Sequence, residues 1–428
     1  MSIKQILKDS FFKVLENIEP SKLINTKCTF EENHIIINQE KISLPENKKI
    51  HLFGSGKAVL SMAESIFAQC ENKILSSILV GPYDNYLKQN TLQYIKSTHP
   101  TPSIKSLEAA QSLKSAIENL DEDDFFIYLL SGGSSALVEL PSDAISMEDF
   151  QTTTDIMLKG SMPIEAMNCV RKHLSKVKGG NLTLNTKAKG IVLVLSDVLS
   201  NNFEDIGSAP LYFDSTTFND AINFLKKYNL LHKIPTTVKK HLLLGFEGKI
   251  NETPKKQNKN IKHFLIASNE ILLQDIKSKL SSKNIPSVIM DVKIEKDVKI
   301  VVNDILNFID SKEEGCFIFG GEALVQVTKS GKGGRNQHLI LSILEKFPKN
   351  KNITILSAAS DGIDGNSNSA GAIIDNDSLI KADLLQLNIQ DYLNNFNSNV
   401  FFEKIDGLIN TGPSHNNMLD VLIIHIKK

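Results

Sequence analysis

The sequence predicts an α/β protein of two domains, on three observations. Short apolar runs alternate with amphipathic stretches of helical period from residue 48 onward. Turns rich in glycine and serine follow several of those runs. A polar, aperiodic stretch at 247–260 separates two such blocks, which divides the chain into domains at 1–246 and 261–428. Strand–turn–helix repetition of this kind favours a parallel sheet covered by helices on both faces.

The elements follow in order. Ile3, Ile6, Leu7, Phe11, Val14, Leu15 and Ile18 recur at helical spacing among lysines and acids, so the N-terminus reads as a docking helix and not as a targeting segment. A strand is expected over 49–53, a helix over 58–69, and strands over 74–80 and 92–96. A helix over 103–120 leads to a buried strand at 125–130, and 147–177 is helical with a break near Pro163. A further buried strand spans 190–195. Beyond the connector come strand 263–267, helix 271–280, strand 286–290, helix 297–308, strands 316–319 and 324–328, helix 336–346 and strand 353–357. The closing strand, 419–426, can return to either sheet.

Composition narrows the function class. The 428 residues carry 48 Lys plus Arg against 49 Asp plus Glu, a net charge of −1 that argues against a nucleic-acid partner. No apolar run approaches the roughly 20 residues that span a bilayer, so no membrane partner is expected. Cys28, Cys70, Cys169 and Cys316 lie far apart without a CxxC pair, which suits a reduced, cytoplasmic setting. Arg171 and Arg335 are the only arginines, lysine supplying the other basic side chains. A guanidinium gives a planar two-point fork that an ammonium cannot, so both are candidates for phosphate or carboxylate recognition, or else for a buried ion pair.

In open α/β sheets ligands gather beyond the carboxyl ends of strands, and five polar loops fall at such ends. Gly54-Ser55-Gly56-Lys57 fails the P-loop pattern, because His51 and Ala58 stand at required positions, and Val59 breaks the dinucleotide pattern. What remains is a tight strand-to-helix turn with one lysine, either an anion site or only a turn. Ser131-Gly132-Gly133-Ser134-Ser135 lacks the GxSxG order of a hydrolase elbow and reads as an oxyanion cradle or a tight crossover. Asp197 ends an apolar strand, where a carboxylate can ligate metal, act as base, or cap a turn. Asp361 and Asp364 lie on a glycine-rich loop without calcium-loop spacing; Mg²⁺ or a plain turn are the alternatives. In the strongest local signal, Gly331, Gly333 and Gly334 lead into Arg335, Asn336 and Gln337 at a helix start, where a guanidinium can stabilise a transferring phosphoryl group. Arg171 lies on a helix near Lys176 and Lys178, basic residues that the helix dipole also explains.

With these segments in hand, the sequence resembles the glycerate 2-kinase family, whose C-terminal part is named MOFRL. The likeness runs along nearly the whole chain. It includes Thr98-His99-Pro100-Thr101-Pro102, the 131–137 turn, the 167–182 stretch (MNCVRKHLSKVKGGNL), Ser196-Asp197-Val198, Gly320-Gly321-Glu322, the 331–337 loop, Ala370-Gly371-Ala372 and Thr411-Gly412-Pro413. The resemblance implies a Rossmann-like three-layer N-terminal domain, a MOFRL-type α/β C-terminal domain and a cleft between them. It implies ATP- and Mg²⁺-dependent phosphorylation of D-glycerate, or a related hydroxy acid, at the 2-hydroxyl. A homodimer is left open.

In that reading Lys57, Arg335 and Asp197 are catalytic. Gly54, Gly56, Ser131, Gly132, Gly133, Ser134, Arg171, Lys178, Glu322, Gly333, Gly334 and Asn336 hold substrate or phosphate, and Asp197 and Asp361 hold the metal. The chain departs from the family pattern at Ser134, at Ser200-Asn201 in place of Gly-Asp, at Leu211, and at Ser414-His415 in the closing motif. Two alternatives remain: an NAD(P)-dependent hydroxypyruvate reductase, and a non-catalytic ligand-binding relative.

Overall fold

A computed structural model describes residues 1–44, 50–348, 350–414 and 416–427; Lys49, where the first expected strand opens, and His415 of the closing motif lie outside them. The chain forms two compact units, one from Pro20–Ile266 and one from Met1–Glu19 with Ala267–Lys428. These bounds differ from the expected 1–246 and 261–428 at both ends. The helix Ile3–Asn17 packs on the helix Asn269–Ser281 of the C-terminal unit. Periodicity identifies its apolar face but not the domain that covers it. The strand Ile261–Ala267 joins the N-terminal sheet beside Lys189–Leu195, because the polar connector returns to the sheet it left.

The N-terminal unit is built on a six-stranded sheet in the order Leu92–Lys96, Ile74–Gly81, Ile50–Ser55, Phe125–Leu130, Lys189–Leu195, Ile261–Ala267. Its first five strands are parallel. The central strand Phe125–Leu130 is buried at every residue, as a strand covered on both faces must be. Phe126, Tyr128, Val192 and Val194 pack with Leu113 and Ile117 of the helix Ile104–Glu118. A second apolar cluster joins Phe150, Met157, Met167, Val170, Phe218, Leu225 and Leu242 from four helices. A small antiparallel sheet of Cys28–Phe30, His34–Ile37 and Glu40–Ser43 completes the unit. Its strands of three or four residues are too short to show a clear period.

The C-terminal unit carries a mixed six-stranded sheet in the order Ser287–Ile289, Gly315–Gly321, Asp420–Lys427, Asn352–Ala359, Gly371–Ile374, Leu408–Ile409. The closing strand therefore lies inside this sheet, antiparallel to both neighbours. Helices Val298–Asp310 and Arg335–Glu345 pack Val302, Ile305, Ile340 and Leu344 with its Phe317, Ile355, Leu422 and Ile424. The strand expected over 324–328 does not form. Among the described residues only Leu324 of this segment makes a bridge, to Asp297.

The four cysteines are free and buried, and burial pushes their thiols up to about 12. Among the described residues no helix is long and apolar enough to cross a membrane.

Candidate active site

In the N-terminal unit the strand Ile50–Ser55 ends against the strand Phe125–Leu130, so the two glycine-bearing turns lie side by side. Backbone bonds stitch them together: Lys57 N–H donates to Gly132 O at 2.9 Å, and Ser131 N–H to Ser55 O at 3.2 Å. Ala58 N–H donates to Ser131 Oγ at 3.1 Å. Gly56 is required at this crossing. Its φ is +138°, and a Cβ there would lie 2.1 Å from Ser131 Oγ.

Several of the residues expected to contact substrate or phosphate build the turns through their side chains. Ser134 Oγ bonds to Ser55 Oγ, which also meets Tyr128 Oη at 2.7 Å. Ser131 and Ser134 are each 2% exposed, and Gly54 is pressed against Val59 and Leu129. Lys178 is fully committed: its ammonium pairs with Glu139 at 2.8 Å and donates to Ser135 O at 2.7 Å and to Val138 O at 3.2 Å. With both side chains buried, this pair supports the 134–138 turn from below and has no face to offer a phosphate. The side chains of Ser131, Ser134 and Lys178 thus hold the turns in place, and Gly54 packs beneath them.

The other predicted residues converge on the open side of the turn. The N–H groups of Gly132, Gly133 and Ser134 engage no other described residue. Asp197 lies against Gly132, where a Cβ would stand 2.4 Å from its Oδ2. Gly133 (φ +84°) leaves room for His99 and Lys57 to pass, at 3.0 and 3.3 Å from the position of a Cβ. The Lys57 ammonium makes no hydrogen bond among the described residues. Burial raises the Asp197 carboxyl above its ordinary range, while the Lys57 charge opposes that rise. Desolvation and then the Lys57 charge lower the His99 imidazole.

A hollow of about 170 Å³ adjoins this cluster, lined by His99, Pro102, Gly133, Ser135, Phe150 and Arg171 among others. The Arg171 guanidinium is oriented by Asn168 Oδ1, which also accepts from Ser208 Oγ at 3.0 Å. Ser208 Oγ in turn meets Ser135 Oγ at 3.1 Å. Arg171 Nε is buried without a partner among the described residues, and burial lowers the group's affinity for its proton, with Glu139 opposing. An orphaned guanidinium donor at a small hollow suits a carboxylate.

In the C-terminal unit Arg335 is the first residue of the helix Arg335–Glu345. Asp420 grips it at two points, Nε to Oδ2 at 2.5 Å and Nη2 to Oδ1 at 2.9 Å. Its Nη2 also meets Glu322. Burial lowers the guanidinium's proton affinity, but the Asp420 and Glu322 carboxylates outweigh it and the net shift is upward. Asp364 caps the same helix, accepting from Gln337 N–H at 2.8 Å and Asn336 N–H at 3.1 Å. Burial raises this carboxyl to about 7, against those N–H donors.

Gly334 lies so close that a Cβ would stand 2.3 Å from Asp364 Oδ1, and Gly333 N–H is held by Asn366 Oδ1 at 2.8 Å. Asn336 is 2% exposed and bonds inward, to Asp364 and to Ser357 Oγ, which holds the helix start. Glu322, Gly333, Gly334, Arg335 and Asp361 do share one hollow, of about 730 Å³.

Among the described residues no three His, Cys, Asp or Glu side chains cluster as a metal site. Asp197 and Asp361 therefore fit Mg²⁺ only as single ligands to an ion that keeps most of its waters or arrives with phosphate. Sequence reasoning passed over Asp420, although one aspartate at the head of the apolar run Val421-Leu422-Ile423-Ile424 was a readable signal. It also left His99 without a role of its own and missed Asn168 and Ser208, which carry no local pattern.

Residues 6–243 match the model of a domain of unknown function, DUF4147, and residues 315–420 match the MOFRL family. Glycerate 2-kinase of Pyrococcus horikoshii is 32% identical over 432 residues, spanning 99% of this chain and 97% of that protein. The solved glycerate kinase of Thermotoga maritima is 29% identical with a TM-score of 0.85, covering 99% of each chain. A protein of Agrobacterium vitis named putative hydroxypyruvate reductase is 31% identical over 386 residues, covering 88% of this chain and 98% of its own. On two family models and full-length likeness to the Pyrococcus horikoshii glycerate 2-kinase, this chain belongs to the glycerate 2-kinase family of DUF4147 and MOFRL architecture.

Proposed function

We propose that the protein transfers the γ-phosphoryl group of ATP to the 2-hydroxyl of D-glycerate, giving 2-phosphoglycerate and ADP. One observation carries the reading. An ammonium (Lys57) and three N–H groups (Gly132, Gly133, Ser134) that have no hydrogen-bond partner among the described residues, with a carboxylate (Asp197), surround one turn beside a small hollow holding Arg171. Phosphoryl transfer needs positioning and charge stabilisation more than covalent help, and this set supplies both.

The acceptor belongs in the 170 Å³ hollow, whose size suits a three-carbon acid, with its carboxylate on the Arg171 fork. Lys57 and the turn N–H groups take the charge of the moving phosphoryl group. Asp197, its proton affinity raised by burial, accepts the proton of the attacking hydroxyl. Gly56 holds the geometry of the turn. The donor nucleotide belongs in the 730 Å³ hollow, where Arg335, oriented by Asp420 and Glu322, meets phosphate oxygens beside Gly333 and Gly334. Mg²⁺ would neutralise phosphate charge and draw on Asp197 or Asp361 for a ligand.

The name putative hydroxypyruvate reductase of one relative raises hydride transfer as a competitor. The Gly54–Val59 turn argues against it. Val59 Cγ2 stands 2.7 Å from where a Cβ of Gly54 would be, filling the close approach that a pyrophosphate needs. Purified protein with MgATP and D-glycerate should yield a product that enolase converts without a mutase. Product that requires the mutase, or NADH consumption with hydroxypyruvate in place of transfer, rejects the proposal.

A further inference from the structure

We propose that the segment 324–327, together with Ile363, forms the subsite for the purine base of the nucleotide. This rests on the phosphotransfer reading above and adds to it where the base lies. Leu324, Val327 and Ile363 are 60%, 65% and 45% exposed, and all three line the 730 Å³ hollow. Branched aliphatic side chains facing water around a polar hollow are a place where a ligand's apolar surface gains most from contact.

The backbone adds a second observation. Leu324-Val325-Gln326-Val327-Thr328 has the composition of a strand, yet it finds no sheet. Leu324 N–H donates to Lys296 O at 2.9 Å, and its carbonyl accepts from Val298 N–H at 2.8 Å. Beyond it the N–H and C=O groups of Val325, Gln326 and Val327 engage no other described residue. Backbone with unused donors and acceptors beside a hollow can read the hydrogen-bonding edge of a heterocycle, while the flanking side chains cover its faces.

The hollow also combines charged and apolar lining. Glycine-flanked Arg335 and the exposed Leu324 and Val327 line the same hollow, with the stacked rings of His338 and Phe396 (centroids 5.2 Å apart, 13° between planes) also lining it. The ligand that matches is a flat, weakly polar ring joined to a polyanion, and ligand pockets of roughly 300–1,000 Å³ are the right size for it.

Calorimetric titration of ATP and of tripolyphosphate against wild type, Leu324→Asp and Val327→Asp separates base from phosphate recognition. Both side chains are exposed, so unchanged melting temperatures confirm that the variants fold. We expect the Kd for ATP to rise roughly tenfold or more in each, with tripolyphosphate binding unaltered. ATP affinity within about twofold of wild type in both variants overturns the base subsite while leaving the kinase reading intact. Wild type that binds ATP but transfers nothing to D-glycerate rejects the kinase reading and spares the subsite. Photolabelling with 8-azido-ATP should mark peptides containing 322–330 or 361–366; labelling confined to other peptides also overturns the proposal.

Discussion

Asp420 holds Arg335 by a two-point ion pair, with Nε to Oδ2 at 2.5 Å and Nη2 to Oδ1 at 2.9 Å. The carboxylate comes from the strand Asp420–Lys427 inside the C-terminal sheet, and the guanidinium from a helix start 85 residues earlier. A lysine keeps the charge but cannot keep the two-point geometry. Arg335→Lys should therefore fold with a near-normal melting temperature and lose about a hundredfold or more in turnover. Asp420→Asn should lose turnover in the same direction, because it leaves the guanidinium less firmly aimed. Steady-state rates of both variants, beside thermal melts, check this.

Asp364 gives a pH signature. Its carboxyl sits at about 7 in the folded protein, above the ordinary value of 3.8, so the folded state holds a proton that the unfolded chain has released between those values. Stability from this group is thus greatest below about pH 4 and falls as pH rises toward 7, by roughly 1 kcal/mol per pH unit at most. Asp364→Asn cannot titrate and should gain on wild type over that window. Urea midpoints of both proteins at pH 5 and pH 8 make the comparison, and a constant difference would refute the assignment.

Lys178 and Glu139 form a buried pair beneath the 134–138 turn. Removing one partner strands the other's charge, which costs roughly 3–5 kcal/mol. Lys178→Met should be strongly destabilised in urea, and adding Glu139→Leu should restore a large part of the loss. If Lys178 instead held phosphate, Lys178→Met would weaken substrate binding with little change in stability.

Gly56 and Gly248 both have positive φ, but only Gly56 is crowded. A Cβ at Gly56 would meet Ser131 Oγ at 2.1 Å, whereas one at Gly248 would meet nothing within 4 Å. Gly248→Ala should cost only backbone strain, about 1 kcal/mol. Gly56→Ala should cost more and abolish activity by parting the two stitched turns. Denaturation and rate measurements on the pair separate strain from crowding.

Much of this was legible in the sequence. Apolar runs such as 125–130 and 191–195 announce buried parallel strands, and glycine after such runs marks the turns that meet around Lys57. The scarcity of arginine pointed to Arg171 and Arg335, and each lines a hollow. What stayed hidden depends on distance in the fold. Nothing local to Lys178 reveals Glu139 waiting beneath a turn, and nothing near Arg335 reveals Asp420. The segment 324–328 has strand composition, but pairing is decided by neighbours, and the closing strand took the place beside Gly315–Gly321. The amphipathic period of Ile3–Asn17 was clear, while the surface it covers was not.

In the proposed reaction Lys57 and Arg335 serve one and the same phosphoryl transfer. Turnover of Lys57→Met, Arg335→Lys and the double variant with MgATP and D-glycerate tests it most directly. Groups that act together in one transition state are strongly non-additive, so the double variant should be scarcely slower than the worse single one. Single variants near the wild-type rate, or losses that simply multiply, would contradict the account.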